Sequence, residues 1–235
     1  MLAKKYHDII YLFGISLLLA GMPLSPFLMS ISQFILLGNW IIEGDYLRKL
    51  KKLQSNVPVL LIITLFFFHI IWLLNTSDFD YAFRDIIVKL PLLVLPFVFG
   101  SAIDLEKNTL YGFLLLFIAA VFTGTLIGML KYWGWIGQPI SDIREISCFI
   151  SHIRFSLMVC LSAFISGYLM LQNEMNVKIK IIFALLLIWN VVFLFILSSM
   201  TGIVIFILTG LTILVVYNPF KQPYRAVLLL FTLLV

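Results

Sequence analysis

The chain has 235 residues, 63% of them hydrophobic and 11% charged, with a mean hydropathy of +1.13. Soluble domains sit nearer half apolar and a quarter charged, so this composition excludes a soluble globule, a disordered chain and a disulfide-built scaffold. The 16 basic and 11 acidic residues leave a net charge of +5, which in so apolar a chain reflects membrane orientation rather than nucleic-acid binding.

The predicted fold is all-α, a polytopic transmembrane helix bundle. At about 20 residues per span, the length allows roughly nine crossings in one transmembrane domain over residues 1–235. Lys4 and Lys5 precede the first apolar run, at 9–24. More runs follow, so it reads as a retained span rather than a cleaved signal peptide. A second run at 27–42 is split from the first by Pro23 and Pro26. One helix over both would be roughly 50 Å long, against about 30 Å of hydrocarbon. Further runs lie at 57–74, 90–103, 110–130, 155–171, 179–197 and 203–217. The chain must reverse near Ser198-Ser199-Met200-Thr201-Gly202 for the same reason of length. A ninth run, 226–235, would reach only about 15 Å. It is read as a span cut short, so the chain is expected to be the N-terminal part of a longer protein.

Basic residues set the orientation. With a cytoplasmic N-terminus and one crossing per run, Lys4, Lys5, Arg48, Lys49, Lys51, Lys52, Lys107, Lys178, Lys180, Lys221 and Arg225 fall inside. Only Arg84, Lys89, Lys131, Arg144 and Arg154 fall outside. This asymmetry supports the topology. The segment 45–56 reads as an orientation loop lying against anionic lipid. Two outer segments, 79–90 and 139–153, repeat apolar residues at helical spacing and are predicted as amphipathic interfacial helices. Trp133 and Trp135 suit an interface belt.

The candidate chemistry lies on the outer side. Arg84, Arg144 and Arg154 stand where few basic residues are expected. Each is either a snorkelled or Asp-paired interfacial arginine, with Asp85, Asp142 or Glu145 as partner, or part of an anion clamp. Guanidinium grips phosphate oxygens bidentately and keeps its charge. His152 is the histidine of the outer segments and the candidate base. An extended 151–155 segment would point His152 and Arg154 the same way; a helix would point them roughly opposite. Ser198 and Thr201 line the predicted turn, either bonding the reversing backbone or facing an outer cavity. His69 is expected to bond a neighbouring helix and His7 to sit among headgroups. Cys148 and Cys160 form neither a CxxC nor a metal-ligand spacing and read as small apolar fillers. No Gly-rich phosphate loop, HExxH, GxSxG or carboxylate cluster occurs in the sequence, so no metal site or cofactor is predicted.

Three stretches carry a resemblance. One is 75–99, an outer amphipathic segment leading into Lys89-Leu90-Pro91-Leu92-Leu93-Val94-Leu95-Pro96. Another is Ser151-His152-Ile153-Arg154-Phe155-Ser156, and the third is Ser198-Ser199-Met200-Thr201-Gly202. Together they resemble the O-antigen ligase and O-antigen polymerase superfamily of bacterial membrane glycosyltransferases. Met200 stands where that family has arginine in a Ser-Arg-Thr-Gly turn, which implies the loss of one phosphate contact. The family's essential histidine and large periplasmic loop would lie beyond Val235.

The resemblance implies a metal-independent glycosyltransferase of lipopolysaccharide biosynthesis in the bacterial inner membrane. Its donor would be a glycan on undecaprenyl pyrophosphate. Its acceptor would be a lipid A–core sugar in a ligase, or a growing glycan in a polymerase. Arg154, Arg144, Arg84, Ser198 and Thr201 would bind substrate. A non-enzymatic lipid or polysaccharide transporter is the alternative. It calls for charged residues buried along the spans, and few are seen in the sequence.

Overall fold

The structure, a computed structural model, describes residues 2–102, 105–138, 140–172 and 175–217. The described residues form ten α-helices and no strand. Among them, five helices are long and apolar enough to cross a membrane, and a bent pair makes a sixth candidate. Large apolar side chains such as Phe34 (74% exposed), Leu61 and Leu185 cover the outward faces. In water such surfaces would aggregate; they are the mark of a membrane protein. The run predicted at 226–235 lies outside the described residues.

The chain divides into two compact units. The first contains α1 (Leu2–Leu24), α2 (Pro26–Glu43), α3 (Tyr46–Gln54), α4 (Val57–Trp72), α5 (Phe79–Lys89) and α6 (Pro91–Ser101). Helix α1 stops just before Pro26, whose ring disfavours helical backbone in the preceding residue and suits the first position of the next helix. At this corner α1 and α2 approach closely. A Cβ on Gly21 would stand 2.7 Å from the Met29 backbone nitrogen, so only glycine fits. Tyr11, Ile15, Leu18, Leu36 and Val98 form the apolar core of the unit.

One end of this unit gathers the start of α1, the end of α2, α3, the start of α4 and the end of α6. Asn39 fixes α2 to α1: its Nδ2 donates to the His7 carbonyl at 3.0 Å, and its Oδ1 lies 2.8 Å from His7 Nδ1. The amide orientation is therefore set, and His7 Nδ1 is the donor. Trp40 Nε1 donates to Ser101 Oγ at 2.7 Å, joining α2 to α6. His7 thus makes the interhelical bond expected of His69, while His69 only bonds its own helix at the Leu65 carbonyl. His69 is partly buried on α4, and among the described residues its ring is bonded only within its own helix.

The segment 45–56 is a helix rather than the predicted loop. Gly44 and Asp45 take left-handed backbone (φ 68° and 52°) to end α2, and α3 then lies at 95° to α4. Its basic residues do not all face outward. Lys49 is 3% exposed. Its ammonium pairs with Glu43 at 2.8 Å, donates to the Trp40 carbonyl at 2.7 Å and sits 4.8 Å from the Trp40 ring centroid. Lys52 donates to the Ala102 carbonyl at 2.6 Å, satisfying a group beyond the end of α6. The loop reading missed this because four basic residues within five positions look like a solvated face. At helical spacing, Lys49 and Leu53 instead share one side and turn inward together.

Helix α5 forms as predicted. Asp78 caps it by accepting from the Tyr81 N–H at 3.0 Å, and Lys89 pairs with Asp85 one turn earlier. Phe79, Tyr81, Phe83, Ile87 and Val88 stay exposed. Helix α6, the predicted fourth span, has only 11 residues, or about 16 Å of helix. Even so it returns the chain to the α3 end, since a Cβ on Gly100 would touch Leu53 and Val59.

The second unit holds most of α7 (Lys107–Tyr132), which begins in the first, with α8 (His152–Met170), α9 (Val177–Ile196) and α10 (Met200–Tyr217). Its buried residues include a ladder of polar pairs. Trp189 Nε1 donates to Thr125 Oγ1 at 2.8 Å. Asn190 Nδ2 donates to the Leu186 carbonyl at 2.9 Å and to Ser162 Oγ at 3.3 Å. Ser199 Oγ donates to Ser156 Oγ at 2.9 Å. In an apolar medium helices gain little from the hydrophobic effect, so such bonds and close small-residue contacts hold them.

The ion pair in the first unit yields a stability test. Replacing Lys49 by Met leaves the largely buried Glu43 carboxylate without its partner, and should cost on the order of 2 kcal/mol. Adding Glu43→Gln should recover part of that loss. Thermal unfolding of the two single variants and the double variant measures the coupling; additive losses would show that the pair does not act as one unit.

Candidate functional site

Five of the six predicted site residues belong to the second unit, and its topology gathers them at one end. Helix α7 ends in a turn closed by Gly134 in left-handed backbone (φ 73°), with the Trp135 N–H bonded to the Leu130 carbonyl and the Gly134 N–H to Lys131. Lys131 Nζ then donates to the Glu145 carbonyl at 3.0 Å. A Cβ on Gly128 would lie 2.8 Å from the Ile146 carbonyl oxygen. These contacts pin residues 143–146 to the end of α7 and bury the Ile146 side chain completely.

The segment before α8 is not the predicted interfacial helix. Among its described residues, only Ile143–Ile146 make a single 3-10 turn. The apolar repeat there was real, but polar side chains compete with the helix. Asp142 accepts from the Arg144 N–H at 2.9 Å, and Ser141 donates to Glu145 at 2.7 Å. Such local bonds hold the backbone in a turn. Arg144 is exposed on this turn, with Asp142 at 3.8 Å as a loose ion-pair partner.

Helix α8 starts at His152, so residues 151–155 are not extended. His152 and Arg154 are two positions apart on a helix and point in roughly opposite directions. His152 is half-buried and Arg154 is exposed. Among the described residues, neither an ion pair nor a hydrogen bond engages the guanidinium of Arg154. An arginine in the first turn of a helix opposes the helix dipole, so its position does nothing for α8 itself. Ser151 does not cap the helix through its side chain, leaving the first N–H groups of α8 without a side-chain acceptor.

The start of α10 meets the start of α8. Besides the Ser156–Ser199 bond, a Cβ on Gly202 would lie 2.7 Å from Ser156 Cβ. Ser198 takes left-handed backbone (φ 52°) to reverse the chain. Ser198 and Thr201 remain exposed, as does Met200. The last turn of α9 is closed by the Leu197 and Ser198 N–H groups. Phe155 and Phe193 pack edge to face beneath, with centroids 5.7 Å apart.

The second unit therefore brings Arg144, His152, Arg154, Ser198 and Thr201 to one end, together with the N-termini of α8 and α10. Each N-terminus carries the equivalent of about half a positive charge. Such an end attracts anions, above all phosphate groups. Arg84 belongs to the first unit, exposed on α5, and no ion pair or hydrogen bond engages its side chain among the described residues. Ser156 and Ser199 were missed from sequence as the pair that joins the two helix starts. Their serines gave a signal only as small polar residues in apolar runs. No cluster of three or more His, Cys, Asp or Glu suited to a metal occurs among the described residues.

The close approach at Gly202 is testable. Gly202→Val should push α10 from α8 and lower stability by about 1–3 kcal/mol. Gly210→Ala, on the same helix with nothing within 4 Å, should hold or slightly raise the melting temperature, because alanine favours helix over glycine. Equal melting of both variants would show that the contact is loose.

Compared with family models, with curated proteins and with solved structures, the chain has no match in any of the three.

Proposed function

We propose that the protein is an O-antigen ligase-like glycosyltransferase that moves a glycan from undecaprenyl pyrophosphate to a lipid A–core sugar. The observation that carries this reading is the meeting of two helix N-termini with Arg154, unpartnered among the described residues, at one end of the second unit. A pyrophosphate leaving group develops negative charge as the glycosidic bond to it breaks. Preorganised positive groups aimed at that charge lower the barrier. Arg154 and Arg144 would hold the phosphate oxygens, and Ser198 and Thr201 would donate hydroxyl hydrogen bonds. Arg84 is kept as a further candidate contact on α5. Met200 leaves the family's arginine position apolar, so the helix N-termini and Arg154 carry more of the charge.

On this reading the protein sits in a bacterial inner membrane with about nine crossings, a cytoplasmic N-terminus and the site end of the second unit facing the periplasm. The grouping of segments supports it. Lys4, Lys5 and the basic helix α3 belong to one end of the first unit. In the second unit, the poorly basic segments 133–151 and 198–201 share one end, while Lys178 and Lys180 begin α9 at the other. The half-buried His152 points away from Arg154 and is a weaker candidate for the base that takes the acceptor proton.

The decisive test is transfer itself. In membranes containing the protein, Arg154→Ala should lower glycan transfer from undecaprenyl pyrophosphate at least a hundredfold and leave insertion unchanged. Arg154→Lys should recover only part, because an ammonium lacks the bidentate fork. Transfer at the normal rate by Arg154→Ala would remove this residue from the site.

A further inference from the structure

Two tryptophans stand at the same end of the second unit without a role in the anion site. Trp133 is 53% exposed and Trp135 is 74% exposed. Their ring centroids lie 5.8 Å apart and the rings are tilted by 50° to each other. The backbone beneath is fixed. The α7 end is closed by paired bonds from the Gly134 and Trp135 N–H groups, and Gly134 and Gly137 both take left-handed backbone. Lys131, two residues earlier, is tied to the Glu145 carbonyl. The backbone that carries the pair is thus held before any ligand arrives, which removes part of the ordering cost of binding. The loop tied by that contact also presents exposed hydrogen-bonding groups, Ser141, Asp142 and Glu145.

A sugar ring has one or both faces lined by C–H groups and a rim of hydroxyls. An exposed indole offers a broad apolar face for the first, and carboxylates and hydroxyls accept from the second. We propose that Trp133 and Trp135 form a stacking platform for a saccharide ring of the lipid-linked glycan, with the acidic turn at 142–145 receiving its hydroxyls. This inference rests on the proposed function, because it places the glycan beside the phosphate-binding end. It adds what the arginines lack, a means of recognising the sugar rather than its diphosphate.

The test uses the full chain in lipid nanodiscs and three probes. These are undecaprenyl pyrophosphate, the same lipid bearing a disaccharide of N-acetylglucosamine, and the free disaccharide. The variants are Trp133→Leu/Trp135→Leu, which keeps apolar bulk, and Trp133→Phe/Trp135→Phe, which keeps aromatic faces. The Leu pair should weaken binding of the two saccharide-bearing probes about tenfold, the scale of one aromatic–ring stack, and leave the bare lipid unchanged. The Phe pair should stay close to wild type. Equal affinities of wild type and the Leu pair for the saccharide probes would overturn the platform. So would an equal loss on all lipid probes, the behaviour of plain membrane-interface anchors. If wild type ignores the bare lipid yet binds the free disaccharide through these tryptophans, the platform stands and the pyrophosphate reading falls.

Discussion

A polar group in an apolar surround must find its partner within the protein, and the organisation of both units follows from that constraint. Hydrocarbon offers no water to a hydroxyl, an amide or an ammonium, and each one left alone costs several kcal/mol. Lys49 meets the constraint with a carboxylate, a carbonyl and an indole face. Asn39 meets it by bonding both the ring and the backbone of His7. Ser156 and Ser199 meet it with each other. Each of these bonds joins one helix to another, those of Asn39 and Ser199 across 32 and 43 residues of sequence, and each lies close to a helix end. The ends are therefore fixed relative to one another within each unit, and functional groups placed on them inherit that precision. Asn190 Oδ1 is buried without a hydrogen-bond partner among the described residues.

The arrangement at the end of the second unit depends on the same economy of space. Gly128 lets the 143–146 turn settle onto α7, and Gly202 lets α10 settle onto α8. A side chain at either position would hold the segments apart. With both contacts made, two helix N-termini face one region alongside Arg154. On the proposed reading, fixed N–H groups and a permanent guanidinium charge do what a metal ion does in many phosphate-handling sites. Their strength comes from being aligned before the substrate binds.

Much of the fold was legible in the sequence because hydrophobic runs and their punctuation are physical signals of length and direction. The break at Pro23 and Pro26, the helix following Asp78 and the reversal near Ser198 all fall where the pattern put them. The two errors of local structure share a cause. At 45–56 the density of charge hid a helix, since periodicity places Lys49 inward only once Glu43 and Trp40 are known to wait there. At 139–153 an apolar repeat suggested a helix, but Asp142 and Ser141 bond the nearby chain instead. The exchange of roles between His7 and His69 was also out of reach. Which histidine finds a partner depends on a residue 32 positions away, and no local pattern carries that information. The arginines were named one by one from charge on the side poor in basic residues, His152 as an outer histidine, and Ser198 and Thr201 from a small polar turn. Their convergence could be seen only once α8 and α10 were seen to touch.

The central claim is that the 140–151 segment and the turn between α9 and α10 open to the same aqueous face, opposite the start of α9. Single cysteines at Ser141, Ser198 and Lys178, in a background with Cys148 and Cys160 replaced, test it directly. In intact cells a membrane-impermeant thiol reagent should label positions 141 and 198 and leave 178 untouched until the membrane is opened. Labelling of 141 and 198 from opposite sides would take the two helix starts apart and leave the anion site without a structure.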